Sequence, residues 1–79
     1  MNAVAQHYVQ ANFALAGWVT VAHIPDDVVA TKTPDEIFDA TLSVPWIQEL
    51  RNDELDYGDM LDVRLIQESI IVHKTRQLQ

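Results

Sequence analysis

The four residues Thr33-Pro34-Asp35-Glu36 constrain this chain more than any others. They spell a helix capping box. Thr at the N-cap accepts a hydrogen bond from the third helical N–H, and Glu at that third position accepts one from the N-cap N–H. Pro suits the first helical position, and Asp35 and Glu36 suit the positive end of the helix dipole. A helix is expected from Pro34 to about Ser43, burying Ile37, Phe38, Thr41 and Leu42. Pro45 interrupts it. Ser43 is placed to cap a second short helix, about Pro45 to Asn52, with Trp46, Ile47 and Leu50 inward.

The flanks of this helical middle read as strands. From Asn12 to Ile24, Phe13, Leu15, Val19 and Val21 alternate with small or polar residues. Gly17 inside that run marks a bulge or a tight hairpin bend. Residues 3–11 are a partner strand or a frayed start, and Pro25-Asp26-Asp27 is a turn that ends the strand. After an acidic, turn-rich connection, Asp53 to Asp62, one long strand is expected from about Leu61 to His73. Val63 and Leu65 share one of its faces; Ile66, Ile70 and Val72 share the other. The change of pattern near Gln67 signals a bulge or burial on both faces. The expected fold class is α+β: a small antiparallel sheet with one or two short helices packed on one face. Residues 1–79 make one small domain, fraying at 1–8 and 75–79.

Composition narrows the function classes. A chain of 79 residues without cysteine has neither a disulfide framework nor a Cys-containing zinc site. Its 48% hydrophobic content is too high for a disordered acidic tail. The uncharged run Tyr8 to Ile24 is too short for a membrane span and is interrupted by Gln10, Asn12, Thr20 and His23. No basic segment of the kind that opens a secretory signal precedes it. The expectation is a soluble protein of the cytoplasm, with no membrane partner.

No residue pattern calls for catalysis. His7, His23 and His73 have no ligand-pair spacing, and a metal site needs three or four ligands. The run Asp53 to Gly58 fails as a calcium loop. With Gly58 at its sixth position, Leu55 and Tyr57 fall where oxygen ligands belong, and Arg64 falls where the closing Glu belongs. Ser43 and Ser69 have no adjacent base, and no nucleophile elbow or phosphate-binding glycine loop is present. The protein reads as non-enzymatic, with no cofactor and no metal. Trp18 and Trp46 are residue types that anchor interfaces, and the uncharged N-terminal half is a candidate oligomer interface, but in a chain this small the two tryptophans read as core.

The charge is the global signal that remains. The chain carries -7, and residues 26–62 hold 11 of its 12 acids against Lys32 and Arg51. Such a chain is not expected to bind nucleic acid directly, because phosphates are engaged mainly by Lys and Arg. Asp53, Glu54, Asp56 and Asp59 in the acidic connection have two readings. They keep a small domain soluble, or they imitate DNA, which carries one negative charge about every 1.7 Å of axis.

One short stretch favours the second reading. Ile66-Gln67-Glu68-Ser69-Ile70 resembles the motif of the phage uracil-DNA glycosylase inhibitor family, in which a Gln-Glu-Ser-Ile strand lies along the enzyme's DNA groove. The resemblance covers five contiguous residues. It implies that Glu68 stands in for a DNA phosphate, with Gln67 and Ser69 hydrogen-bonding at the groove and Ile70 completing the motif. A second stretch, Ile24-Pro25-Asp26-Asp27-Val28, is similar to the Leu-Pro-Glu-Glu-Val that follows the motif in the family, although here it precedes it. Glu68 is expected to be exposed, on a strand at or near a sheet edge.

The expected function is thus that of a small acidic, phage-type inhibitor in the host cytoplasm. It would bind a basic DNA-binding host protein by DNA mimicry. A uracil-DNA glycosylase is the target the motif implies; a CRISPR effector or restriction enzyme fits the charge equally. The alternative is an oligomerising structural or regulatory module whose acidity serves only solubility. An exposed edge strand would let such a module form a homodimer.

Overall fold

The structure is a computed structural model that describes residues 6–53, 55–67 and 71–78, with backbone only for residues 71 and 73. The chain runs β1 (His7–Phe13), β2 (Gly17–Ile24), α1 (Asp26–Thr31), α2 (Pro34–Leu42), α3 (Pro45–Arg51), β3 (Met60–Gln67) and β4 (Ile71–Gln77). The four strands form one antiparallel sheet in the order β2-β1-β3-β4. The helices cover one face of it. This is the α+β architecture expected from the sequence.

The run Asn12 to Ile24 is not one strand. β1 ends at Phe13, which pairs with Gly17 across a three-residue tip, Ala14 to Ala16. Gly17 adopts φ 77°, the left-handed conformation that closes three-residue hairpins. Gly17 is therefore a hairpin bend, and residues 7–11 belong to the partner strand. His7 and Tyr8, expected to fray, are inside β1. The extra residue appears elsewhere: between Val9↔Ala22 and Gln10↔Thr20, β2 carries one more residue than β1. That bulge directs Val21 into the core.

The long strand expected from Leu61 to His73 is two strands. β3 stops at Gln67, and Gln67 pairs with Ile71 at the start of β4. Of the residues by which a turn is recognised, positions 68–70 offer only Ser69, the weakest such signal. The ordered pairing of β4 continues to Gln77, so residues 75–77 do not fray. Val63 and Leu65 face the core, while Ile66 lies on the opposite face beside Tyr8 and Val72.

The capping box is present as expected. The Thr33 hydroxyl accepts from the Glu36 N–H at 3.2 Å, and the Thr33 N–H donates to Glu36 Oε1 at 2.9 Å. Ile37, Phe38 and Thr41 are buried, and the Thr41 hydroxyl donates to the Ile37 carbonyl at 2.7 Å. Three details differ from expectation. Ser43 does not cap α3, whose N-cap is Val44 without a side-chain bond; the Ser43 hydroxyl donates to the Ala40 carbonyl at the end of α2. Trp46 is half exposed, because it sits one helical step away from the buried Ile47. Asp26 and Asp27 open a helix rather than a turn, and Val28 and Val29 of this α1 pack against the core. Three β-branched residues, Val28, Val29 and Thr31, in a six-residue helix give a weak helical signal.

One core unites these elements. Val9, Ala11 and Phe13 of β1, Val63 and Leu65 of β3, Ile37 and Phe38 of α2 and Ile47 of α3 are all buried in it. Thr33→Ala should lower unfolding stability by about 0.5–2 kcal/mol, the usual loss on removing an N-cap side chain, as read by urea denaturation. An unchanged urea midpoint would show that the box contributes nothing net.

Candidate partner-binding surfaces

The acidic turn after α3 is built onto the β1–β2 hairpin. The tip N–H groups of Leu15 and Ala16 donate to the Tyr57 carbonyl at 2.9 and 3.1 Å, and the Ala14 N–H donates to the Asp59 carbonyl at 2.8 Å. The Tyr57 ring meets Phe13 edge to face, with centroids 5.1 Å apart. Gly58 makes this approach possible. It has φ 79°, and a β-carbon there would lie 2.8 Å from the Leu15 nitrogen. Gly17 shares the positive φ but has open space around it.

This clamp fixes the turn that carries the expected acids. Asp53 Oδ1 accepts from the Asp56 N–H three residues on at 3.1 Å, and Asp53 is half buried. Asp56 and Asp59 are exposed, and so is Leu55 just before them. Glu54 lies outside the described residues, as do Glu68, Ser69 and Ile70, so the expected exposure of Glu68 lies outside them too. Gln67 is half buried at the far end of β3. The acidic turn and Gln67 therefore sit at opposite ends of one strand, about 23 Å apart at the usual strand rise. The fold brings Asp53, Asp56 and Asp59 together and does not bring Gln67 to them.

More acids lie on the helical layer. Asp35 accepts from Lys74 Nζ at 3.0 Å and from Arg76 at 3.0 Å, and Asp39 accepts from Arg76 at 2.8 Å. These pairs tie α2 to β4, and the Arg76 guanidinium also lies over the Phe38 ring at 5.3 Å. The Lys74 ammonium, with help from Arg76, holds the Asp35 carboxyl below its ordinary value of 3.8. The Thr33 backbone N–H holds Glu36 below 4.5. Asp26, Asp27, Glu49, Asp56 and Asp59 are exposed and form no ion pair among the described residues.

The helix-free face of the sheet is a second surface, and sequence reasoning missed it. Strand register sets three cross-strand rows on it: Trp18-Asn12-Asp62-Gln77, Thr20-Gln10-Arg64-Thr75 and His23-Tyr8-Ile66-Val72. The middle row is hydrogen-bonded. Gln10 Nε2 donates to the Thr20 hydroxyl at 3.1 Å, and Arg64 donates to Gln10 Oε1 from Nε at 2.9 Å and from Nη2 at 2.8 Å. The guanidinium stacks on Trp18, 3.9 Å from the ring centroid. Trp18 thus lies at the surface, contrary to its expected place in the core. The alternation Tyr8-Gln10-Asn12 was the available signal, but residues 3–11 had no partner strand to reveal it.

The described residues contain no group of three His, Cys, Asp or Glu placed to hold a metal. Among the described residues, no helix is long and apolar enough to cross a membrane. The grooves are shallow: about 510 Å³ beside Val28, Lys32 and Ala40, and about 190 Å³ beside Val29, Pro34 and Leu65. No protein-family model, curated protein or solved structure matches the chain.

Two measurements test this geometry. Gly58→Ala should cost about 1–3 kcal/mol, the range for a side chain forced into a positive-φ site, and more than Gly17→Ala; equal costs by thermal melting would remove the clamp's spatial requirement. A carboxyl depressed on folding adds stability above its unfolded value, and that stability is lost as pH falls through the folded one. The Asp35 contribution should therefore be present at neutral pH and vanish in acid below about pH 4. The urea midpoints of wild type and Asp35→Asn should differ slightly at pH 7, since exposed pairs are screened, and converge in acid. A gap that persists in acid would mean that the pairs are not its source.

Proposed function

We propose that the protein is a non-enzymatic acidic inhibitor, acting in the host cytoplasm, that occupies the basic DNA-binding surface of a nucleic-acid-processing host protein. The observation that supports this reading is the disposition of charge. Lys74 and Arg76 are committed to α2, and Arg64 is committed to Gln10 and Trp18. Exposed carboxylates on the clamped turn and on the first and third helices carry no ion-pair partner among the described residues. A rigid turn matters because a mimic whose charges are held in place loses less conformational entropy on binding. Carboxylates also steer the encounter with a basic groove, and burial of apolar anchors such as Leu55 would follow.

The target to test first is a uracil-DNA glycosylase, on the strength of the Gln67-Glu68-Ser69-Ile70 resemblance. Uracil excision should stop at stoichiometric protein, and Glu68→Ala should weaken the inhibition. Full excision activity in excess protein would remove that target. The wider reading has its own test. Replacing Asp53, Asp56 and Asp59 by Asn and Glu54 by Gln should weaken target binding without lowering the melting temperature, and wild-type affinity should fall steeply with ionic strength. Unchanged binding by the folded quadruple variant would leave these acids to solubility alone.

A further inference from the structure

We propose that the helix-free face of the sheet is the contact surface for a second copy of this chain, two protomers packing sheet to sheet with their helices outward. The proposal goes beyond the inhibitory reading and does not depend on it. The argument begins with charge. A chain of net charge -7 repels its own copies, so a self-contact must keep the acids apart. Of the described acids, only Asp62 lies on the open face, one row from Arg64, and it forms no ion pair among the described residues. The others lie on the helices and the acidic turn. Packed sheets sit about 10 Å apart, and each helix adds about 10 Å. The acids of the two helical layers would then stand roughly 30 Å apart, more than three times the ~8 Å screening length in physiological salt; the acidic turn stands at the hairpin-tip end of the sheet, beyond the rows of the face.

The face is also self-complementary. A two-fold axis over β3, between Asp62 and Arg64, sets the arginine of each protomer toward the aspartate of the other, as an isologous contact requires. Gln10 takes Nε and Nη2 of Arg64, and among the described residues Nη1 donates to no acceptor. Tyr8, Trp18 and Arg64 are residue types concentrated at protein interfaces, and Trp18 and Val72 are 37% and 47% exposed. Four strands at ~4.8 Å spacing and seven residues at ~3.3 Å rise give a flat patch of roughly 440 Å². That is about half the ~800 Å² per partner of a standard interface, so the dimer should be reversible at micromolar concentration.

Sedimentation equilibrium tests this. The wild type should approach twice its 9.0 kDa at high micromolar concentration and dissociate on dilution. Adding salt should tighten the dimer or leave it unchanged, by screening the residual repulsion; target binding by the acidic surface should weaken instead. The double variant Thr20→Glu/Val72→Glu changes one exposed residue on each outer strand and should raise the dissociation constant at least tenfold at an unchanged melting temperature. Thr75→Lys, a charge at a third exposed site on the face, should act likewise and serves where the double variant does not fold. Glu49→Gln, on the helical layer, should leave the dimer intact. A 9.0 kDa monomer at every concentration would overturn the proposal. A dimer that ignores the face substitutions would also overturn it, in favour of edge-strand pairing. The quadruple acid variant that tests inhibition leaves this face untouched, so either reading can fail alone.

Discussion

The double pairing of β1 is the constraint on which the rest of the structure depends. β1 is hydrogen-bonded to β2 on one side and to β3 on the other, so its buried backbone has partners along both edges. Its inward residues, Val9, Ala11 and Phe13, are almost completely buried. The neighbouring strands and the second and third helices are placed by contact with that strip or its strand, while β4 joins through β3 and α1 through α2. α2 brings Ile37 and Phe38 to it, and α3 brings Ile47. The acidic turn is positioned by the same strand, because Phe13 receives the edge of Tyr57 and the hairpin tip beyond it takes the turn's carbonyls. The charged surface is therefore held by the core.

Two electrostatic regimes result from this layering. On the helical side, Lys74 and Arg76 neutralise Asp35 and Asp39, which holds α2 against the edge strand. The remaining acids of that side project into solvent, where mutual repulsion is tolerated because water screens it. On the open side, alternate positions of four strands carry amides, hydroxyls, aromatic rings and one charge of each sign. Arg64 is partly desolvated there, and its stack on Trp18 and its bonds to Gln10 replace the water it gives up. A small domain with one repulsive side and one near-neutral side can bind different partners on each without the two competing for surface.

The sequence by itself determined the helix that Thr33 opens, because a capping box is satisfied within four residues and needs no tertiary partner. It also determined the α+β class, the shared face of Val63 and Leu65, and the acidity of the turn from Asp53 to Asp59, all of which follow from local pattern. The tertiary structure decided the rest. Whether Gly17 bends a hairpin or bulges a strand depends on a partner for residues 7–11, and only pairing with both β2 and β3 supplies it. Only Ser69 among turn-favouring residues hints at a break after Gln67; the ladder from Gln67↔Ile71 onward reveals it. Trp18 and Trp46 look like core residues by type, yet register and helical phase put both at the surface. The open face was illegible because it is assembled from four strands that bring together residues as far apart in sequence as Tyr8 and Gln77, and side chains that share a face across strands leave no mark on any one segment.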